Sequence, residues 1–313
     1  HSWFKESRSS NDNPKRDWYV WKDGKKSKNG KPLPPNNWKS QVFGSGWQYD
    51  EYTDQWYWAA FLPFQPDLNY RNDEVKAEIF NMLKFWLEKG VDGFRLDIIG
   101  SIFEDKEFRD SPFIWKLLPD ETNDGMLFKS TCMTQSLPES IEFTHELREL
   151  TDSFDNPPRF MVGETFGRPE KVAEFCNDRG LHSAFAFECT VVPFTAAAFR
   201  KLLSEYEKCF ADPQVPVWAF SNHDRTRRIS GLGDSTAKAK LNAAFQITAR
   251  GIPFFYNGEE AGMTDAALDK TDSLDPVSFP FKRLPAPIFN LINKKVNGAL
   301  NRDRVRTPMQ WDN

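Results

Sequence analysis

No stretch of the 313-residue sequence approaches the ~18 consecutive apolar residues that cross a bilayer, and the opening HSWFKESRSS lacks the apolar core of a signal peptide. A basic excess is missing too. With 41 Lys and Arg against 45 Asp and Glu, the formal net charge of -4 leaves nothing with which to neutralise phosphates, so nucleic acid is excluded as an expected partner. Cysteine is scarce and unpatterned: Cys132, Cys176, Cys189 and Cys209 form no CxxC pair, which argues against a zinc knuckle or a dense disulfide framework. A reducing, cytoplasmic setting follows as the expectation, with no membrane association. Of the histidines, His145 and His182 have no second ligand at metal spacing, so both read as structural and the expected metal set is none. Glycine-rich phosphate loops, GxGxxG or GxxxxGK[ST], follow no candidate strand, which removes the best support for nucleotide binding.

What is present divides at about residue 70. Residues 1–70 are polar, rich in Lys, Asn, Pro and Gly, and hold seven of the eleven tryptophans: Trp3, Trp18, Trp21, Trp38, Trp47, Trp56 and Trp58. Turn signals such as Asn29-Gly30 and Pro34-Pro35 predict irregular structure with short strands, an excursion domain in which most of the tryptophans replace the missing aliphatic core. From Glu74 the pattern becomes a helix with Val75, Ile79, Met82, Leu83, Trp86 and Leu87 on one face and Gly90 at its end. A buried strand is predicted over 91–99. The helix-then-strand order recurs at 170–176 with 181–187 and at 237–250 with 251–256, which predicts an α/β fold with a parallel sheet.

Barrel and open sheet share that alternation, and the placement of polar residues separates them. Asp97, Glu164 and Asp224 each follow a short apolar run (GFRL, FMVG, VWAFSNH), as residues at the C-terminal mouth of a barrel do. Any one of these acids, taken alone, reads equally well as half of a structural ion pair. Jointly they read as a site. Arg95, two residues before Asp97, shares its face of the strand and can keep it ionised, as the nucleophile of a covalent glycosyl intermediate must be; Glu164, after FMVG, suits the acid.

GFRLD, GETF and FSNHD, in that order, resemble three consecutive signature regions of the α-amylase superfamily (glycoside hydrolase family 13). QPDLN at 65–69 and RTPMQWD at 306–312 resemble its oligo-1,6-glucosidase and α-glucosidase branch. The resemblance implies a partial (β/α)8 TIM barrel with an irregular excursion domain inserted after the third strand: residues 1–70 as the excursion, 71–313 as the barrel from the third helix to the eighth strand and beyond. It implies Asp97 as nucleophile, Glu164 as acid/base and Asp224 as the carboxylate that grips the substrate hydroxyls. Arg95, His223, Arg302 and Phe61 are implied to bind the terminal glucose. Arg306, Glu259 and Glu260 read as bracing groups rather than contacts.

Ile98, the residue after the nucleophile, bears on linkage: in this branch valine there accompanies α-1,6 cleavage and alanine or threonine α-1,4 cleavage. Isoleucine, also β-branched, points to isomalto-oligosaccharides. The expected ligand is a small oligosaccharide or disaccharide, with no cofactor. The resemblance also implies that the first three strands, any structural calcium near the start, and the C-terminal β domain fall outside the chain, which alone is expected to turn over little or no substrate. Alternatives within the branch are a maltase and a sucrose isomerase or trehalose synthase; outside catalysis, a non-catalytic relative would lack the acids, which are all here. Oligomeric state is not legible.

Overall fold

The computed structural model describes residues 1–42 and 44–309. The chain forms two compact units: His1–Pro119 with Asn123–Thr165 and Asn177–Leu181, and Asp120–Thr122 with Phe166–Cys176 and His182–Asn313.

In the first unit an antiparallel sheet is ordered Trp21–Lys22, Gln55–Trp58, Trp47–Asp50, with Trp47 opposite Trp58 and Trp21 opposite Tyr57. Trp38, Trp47 and Trp58 are buried together with Val20 and Ala60. The Trp38 ring stacks on Trp47 at 5.7 Å and meets Trp58 edge-on at 5.3 Å. Large rings supply this small core with apolar area, and their N–H groups require partners. Trp47 donates to Asn36 Oδ1 at 2.7 Å and Trp38 to the Arg109 carbonyl at 2.8 Å. Trp18 is buried in a second cluster with Tyr19 and Val75, against which Trp3 and Trp21 pack, so the tryptophans are core as the composition predicts. The boundary at residue 70 is one of sequence rather than of packing. Phe108 stacks on Trp38 at 5.5 Å, and Ser111 N donates to Asn37 Oδ1 at 2.7 Å, so residues well beyond 70 close over the tryptophan core.

The predicted helix spans Asp73–Glu88. Asn72 caps it, accepting from Glu74 N and Val75 N at 2.9 and 3.2 Å, while Asp73 and Glu74 face the positive end of the helix dipole. Gly90, at φ 91°, takes the left-handed turn that ends it, and Val91 N returns to the Trp86 carbonyl at 3.2 Å. The predicted apolar face is only partly covered: Val75, Leu83 and Leu87 are buried, whereas Met82 and Trp86 line an open cleft of about 560 Å³ with Phe94, Leu96 and Phe143.

Gly93–Leu96 follows and pairs in parallel with Phe160–Gly163, in the register Gly93 to Phe160 and Leu96 to Gly163, and the helix Pro138–Asp152 lies between them in sequence. A βαβ unit thus sets Asp97 and Glu164 one residue beyond the C-terminal ends of neighbouring strands. Both segments are shorter than or equal to their expected extents: 91–99 contracts to Gly93–Leu96, and FMVG is a strand throughout.

In the second unit Val217–Trp218 pairs in parallel with Ile252–Pro253, and Phe185 bridges in parallel to Val217. The helix expected at 237–250 is Thr236–Thr248, capped by Ser235. Its buried Gln246 donates to the Trp218 and Phe254 carbonyls at 2.9 and 2.7 Å, tying helix to strands. Pro253 has no N–H to give a ladder, which helps to shorten the strand expected over 251–256. The helix at 170–176 reduces to Pro169–Ala173 and the strand at 181–187 to Ser183–Ala184. Helices Ala196–Cys209 and Ala286–Lys295 had no counterpart in the periodicity reading.

The four cysteines are free, and burial pushes the Cys176 and Cys189 thiols up to about 12, so neither is a nucleophile at neutral pH. Among the described residues no helix is long and apolar enough to cross a membrane.

Candidate active site

In the first unit the site is built around one guanidinium. Arg95 and Asp97, two apart on one strand face, come together with Nη1 donating to Asp97 Oδ1 at 2.6 Å. Nη2 of the same arginine donates to Glu164 Oε2. The sequence predicts the first contact but gives no sign of the second. The two acids differ sharply in setting: the Asp97 side chain is 70% exposed and that of Glu164 6%. Such asymmetry between two neighbouring carboxyl groups is what glycoside chemistry uses to separate a nucleophile from an acid.

Backbone bonds fix these side chains in register. Glu164 N donates to the Leu96 carbonyl at 2.8 Å, and the Glu164 carbonyl accepts from Ile99 N at 3.0 Å. Between them Ile98 adopts φ 47°, ψ 39°, the left-handed region that a β-branched residue enters only under strain. That turn brings Ile99 back to Glu164 directly after Asp97. Phe61, in the same unit, is half-buried and packs against the Trp38–Trp47–Trp58 core, its carbonyl accepting from Ser40 Oγ at 2.6 Å. The QPDLN segment borders that core: Asp67 Oδ2 accepts from Ala60 N at 2.6 Å, and Asp67 N donates to the Trp58 carbonyl at 3.1 Å.

In the second unit Asp224 gathers cations. Its Oδ1 accepts from Arg302 Nη1 and from Arg306 Nη2, both at 2.7 Å, and His223 Nε2 lies 3.3 Å from Oδ2. Burial pushes the Asp224 carboxyl up, but His223, Arg302, Arg306 and Arg225 together outweigh it and hold it below the usual carboxylate range. Arg306 also donates through Nε to the His223 carbonyl at 2.8 Å, so it braces the His223–Asp224 loop and holds the acid as well. Its membership of RTPMQWD was the available signal; Gln310, Trp311 and Asp312 of that motif lie outside the described residues. Glu259 does brace, accepting from Ser221 Oγ and Tyr256 N at 3.0 and 3.1 Å, and Glu260 is exposed.

Two acids on parallel strand ends, and a third ringed by arginines after FSNH, are matched across residues 1–313 by the family described as Alpha amylase, catalytic domain. The chain belongs to the alpha-amylase family. Its α/β fold is accordingly that of a partial (β/α)8 barrel. A probable alpha-glucosidase of Rhizobium meliloti is 36% identical over 100% of this chain and 55% of its own length, and an oligo-1,6-glucosidase of Heyndrickxia coagulans is 35% identical over 100% and 58%. Among solved structures, an alpha-glucosyl transfer enzyme, XgtA, superposes with a TM-score of 0.85 at 34% identity, covering 99% of this chain and 56% of that one. The trehalulose synthase MutB, in a mutant form bound to Tris, superposes with a TM-score of 0.81 at 31% identity, covering 100% and 57%. The chain thus spans little more than half the length of these alpha-amylase family relatives.

Proposed function

We propose that the protein is a retaining glycoside hydrolase that releases terminal α-linked glucose from small oligosaccharides, with α-1,6 linkages favoured. One observation carries this reading: Arg95 joins Asp97 and Glu164, which lie beside each other at the ends of paired parallel strands, one exposed and one enclosed. Asp97 attacks the anomeric carbon while Glu164 protonates the departing oxygen. The glycosyl-Asp97 ester then yields to a water that Glu164 deprotonates. Asp224, held ionised by its arginines, binds sugar hydroxyls and favours the oxocarbenium-like state, with His223 and Arg302 beside it. Phe61 contributes an apolar wall, and Ile98 crowds the aglycone side. The chemistry requires no cofactor.

The strained turn at Ile98 supports the linkage preference, because a bulky side chain held immediately after the nucleophile narrows what can bind there. A pocket contact of that size is worth roughly 1–3 kcal/mol, so the preference is one of degree. A second reading, glucosyl transfer or isomerisation, is favoured by the likeness to XgtA and to the trehalulose synthase.

Proton NMR of the full-length protein with isomaltose, maltose and sucrose tests both. The expected result is α-glucose as the first product, formed faster from isomaltose than from maltose. Isomeric disaccharides from sucrose would establish the second reading, and β-glucose as first product would contradict both.

A further inference from the structure

Arg302 divides its guanidinium between two acids. Nη1 reaches Asp224 Oδ1 at 2.7 Å, while the opposite edge grips Asp275, Nε to Oδ2 at 2.5 Å and Nη2 to Oδ1 at 2.9 Å. The Asp275 side chain is 3% exposed, against 20% for Arg302 and 27% for Asp224. A bidentate fork fixes the plane of the guanidinium, which a single contact cannot do. Asp275 is itself anchored. Asp275 N, Leu274 N and Ser273 Oγ all donate to Asp303 Oδ2, at 3.1, 2.6 and 3.1 Å, and Asp303 is the chain neighbour of Arg302. Asp275 Oδ1 also accepts from Val277 N at 3.1 Å, capping the short helix Pro276–Phe281. The turn that bears Asp275 and the turn that bears Arg302 are therefore locked to each other by hydrogen bonds running both ways.

We infer that Asp275 is a positioning residue for the reaction: it aims Arg302 at Asp224 and at the sugar hydroxyls that Asp224 binds, without touching substrate itself. Burial pushes the Asp275 carboxyl up, but the Arg302 hydrogen bonds outweigh this and hold it below the usual range, so it stays the anion the fork needs. This role rests on the glucosidase reading above and deepens it. The rival is that Asp275 only balances a buried charge.

The test uses the full-length protein and an aryl α-glucoside. Asp275→Asn is expected to lower kcat/KM by about 10- to 100-fold, as loss of a group that orients a contact residue does. Asp275→Glu keeps the charge, lengthens the arm and remains impaired. Because the effect acts through Arg302, the double variant Asp275→Asn/Arg302→Ala is expected to be no worse than Arg302→Ala alone. Losses that multiply would overturn the assignment by showing that Asp275 does not act through Arg302, and an Asp275→Glu variant equal to wild type would overturn it in favour of charge balance. Should Asp275→Asn fail to fold, Asp275→Glu carries the test alone: charge balance predicts a wild-type kcat/KM, positioning predicts the loss. Wild-type protein inert towards every α-glucoside would fail the glucosidase reading separately. A crystal structure of the Asp275→Glu variant still reports on Arg302, expected off Asp224; an unchanged Arg302–Asp224 contact would overturn the proposal.

Discussion

One arginine holding two carboxylates, as Arg95 does with Asp97 Oδ1 and Glu164 Oε2, fixes the two acids relative to each other through one oxygen of each. Replacing Asp97 by Asn removes the nucleophile and leaves shape intact; kcat is expected to fall by roughly 10³-fold or more with little change in melting temperature. Arg306 offers a finer probe. It supplies one of two arginine contacts to Asp224 Oδ1, and its loss in Arg306→Ala leaves Arg302 and His223 to hold that acid ionised. The expected outcome is a fall in kcat/KM of about 10-fold and an acidic limb of the pH profile moved to higher pH, since Asp224 is held down partly by Arg306. A limb that stays in place would show that Arg306 carries no electrostatic share. At this scale the acids were legible because each sits beside a motif, and Arg95 because strands place residues two apart on one face. Asp275 was illegible: it lies in a loop without periodicity, 27 residues from the arginine it holds.

The short parallel strands place the chemistry, and their closeness depends on Gly93. A Cβ there would fall on the Phe160 backbone carbonyl, across the ladder that sets Asp97 beside Glu164. Gly93→Ala is expected to separate the two strands at that end, destabilising the first unit by about 1–3 kcal/mol and lowering activity along with stability, which thermal melting and kcat/KM together measure. Unchanged melting would mean the ladder absorbs the methyl group. The helix Asp73–Glu88 was readable almost to the residue because its apolar face starts at Val75 and Gly90 ends it; the Asn72 cap came with the structure. Strand ends were less so. Apolar runs such as 91–99 and 251–256 continue past the last ladder bond, and side-chain pattern alone does not mark where pairing stops. The helices Ala196–Cys209 and Ala286–Lys295 were missed although each carries an apolar face, with Leu202 and Tyr206 buried on the first and Phe289 on the second.

Across the molecule, the tryptophan core carries a pH dependence. Burial raises the Asp67 carboxyl to about 7, with the Ala60 N–H pulling the other way, and burial beside Asp67 also raises Glu104 well above its usual range. A carboxyl that keeps its proton longer when folded makes the folded state bind more protons than the unfolded one between about pH 4 and 7, so stability falls as pH rises through that window. Melting of the first unit is expected at lower temperature at pH 7.5 than at pH 5.5, and Asp67→Asn is expected to flatten the difference. An equal slope in that variant would exclude Asp67 as its source. The sequence made the fold class legible, since alternation and acids at strand ends identify a barrel type, but it showed QPDLN only as a marker. Its structural part, Asp67 bonding to the Ala60 N–H and the Trp58 carbonyl seven and nine residues back, is a loop closure that apolar periodicity does not encode.

The proposed mechanism turns on a covalent glycosyl ester at Asp97. A fluorinated α-glucosyl fluoride that slows breakdown of the intermediate, added to the full-length protein and followed by mass spectrometry of its peptides, tests this most directly. One added glycosyl mass is expected, on the peptide that contains Asp97. A label on the peptide containing Asp224, or turnover with no covalent species and β-glucose as product, would contradict it.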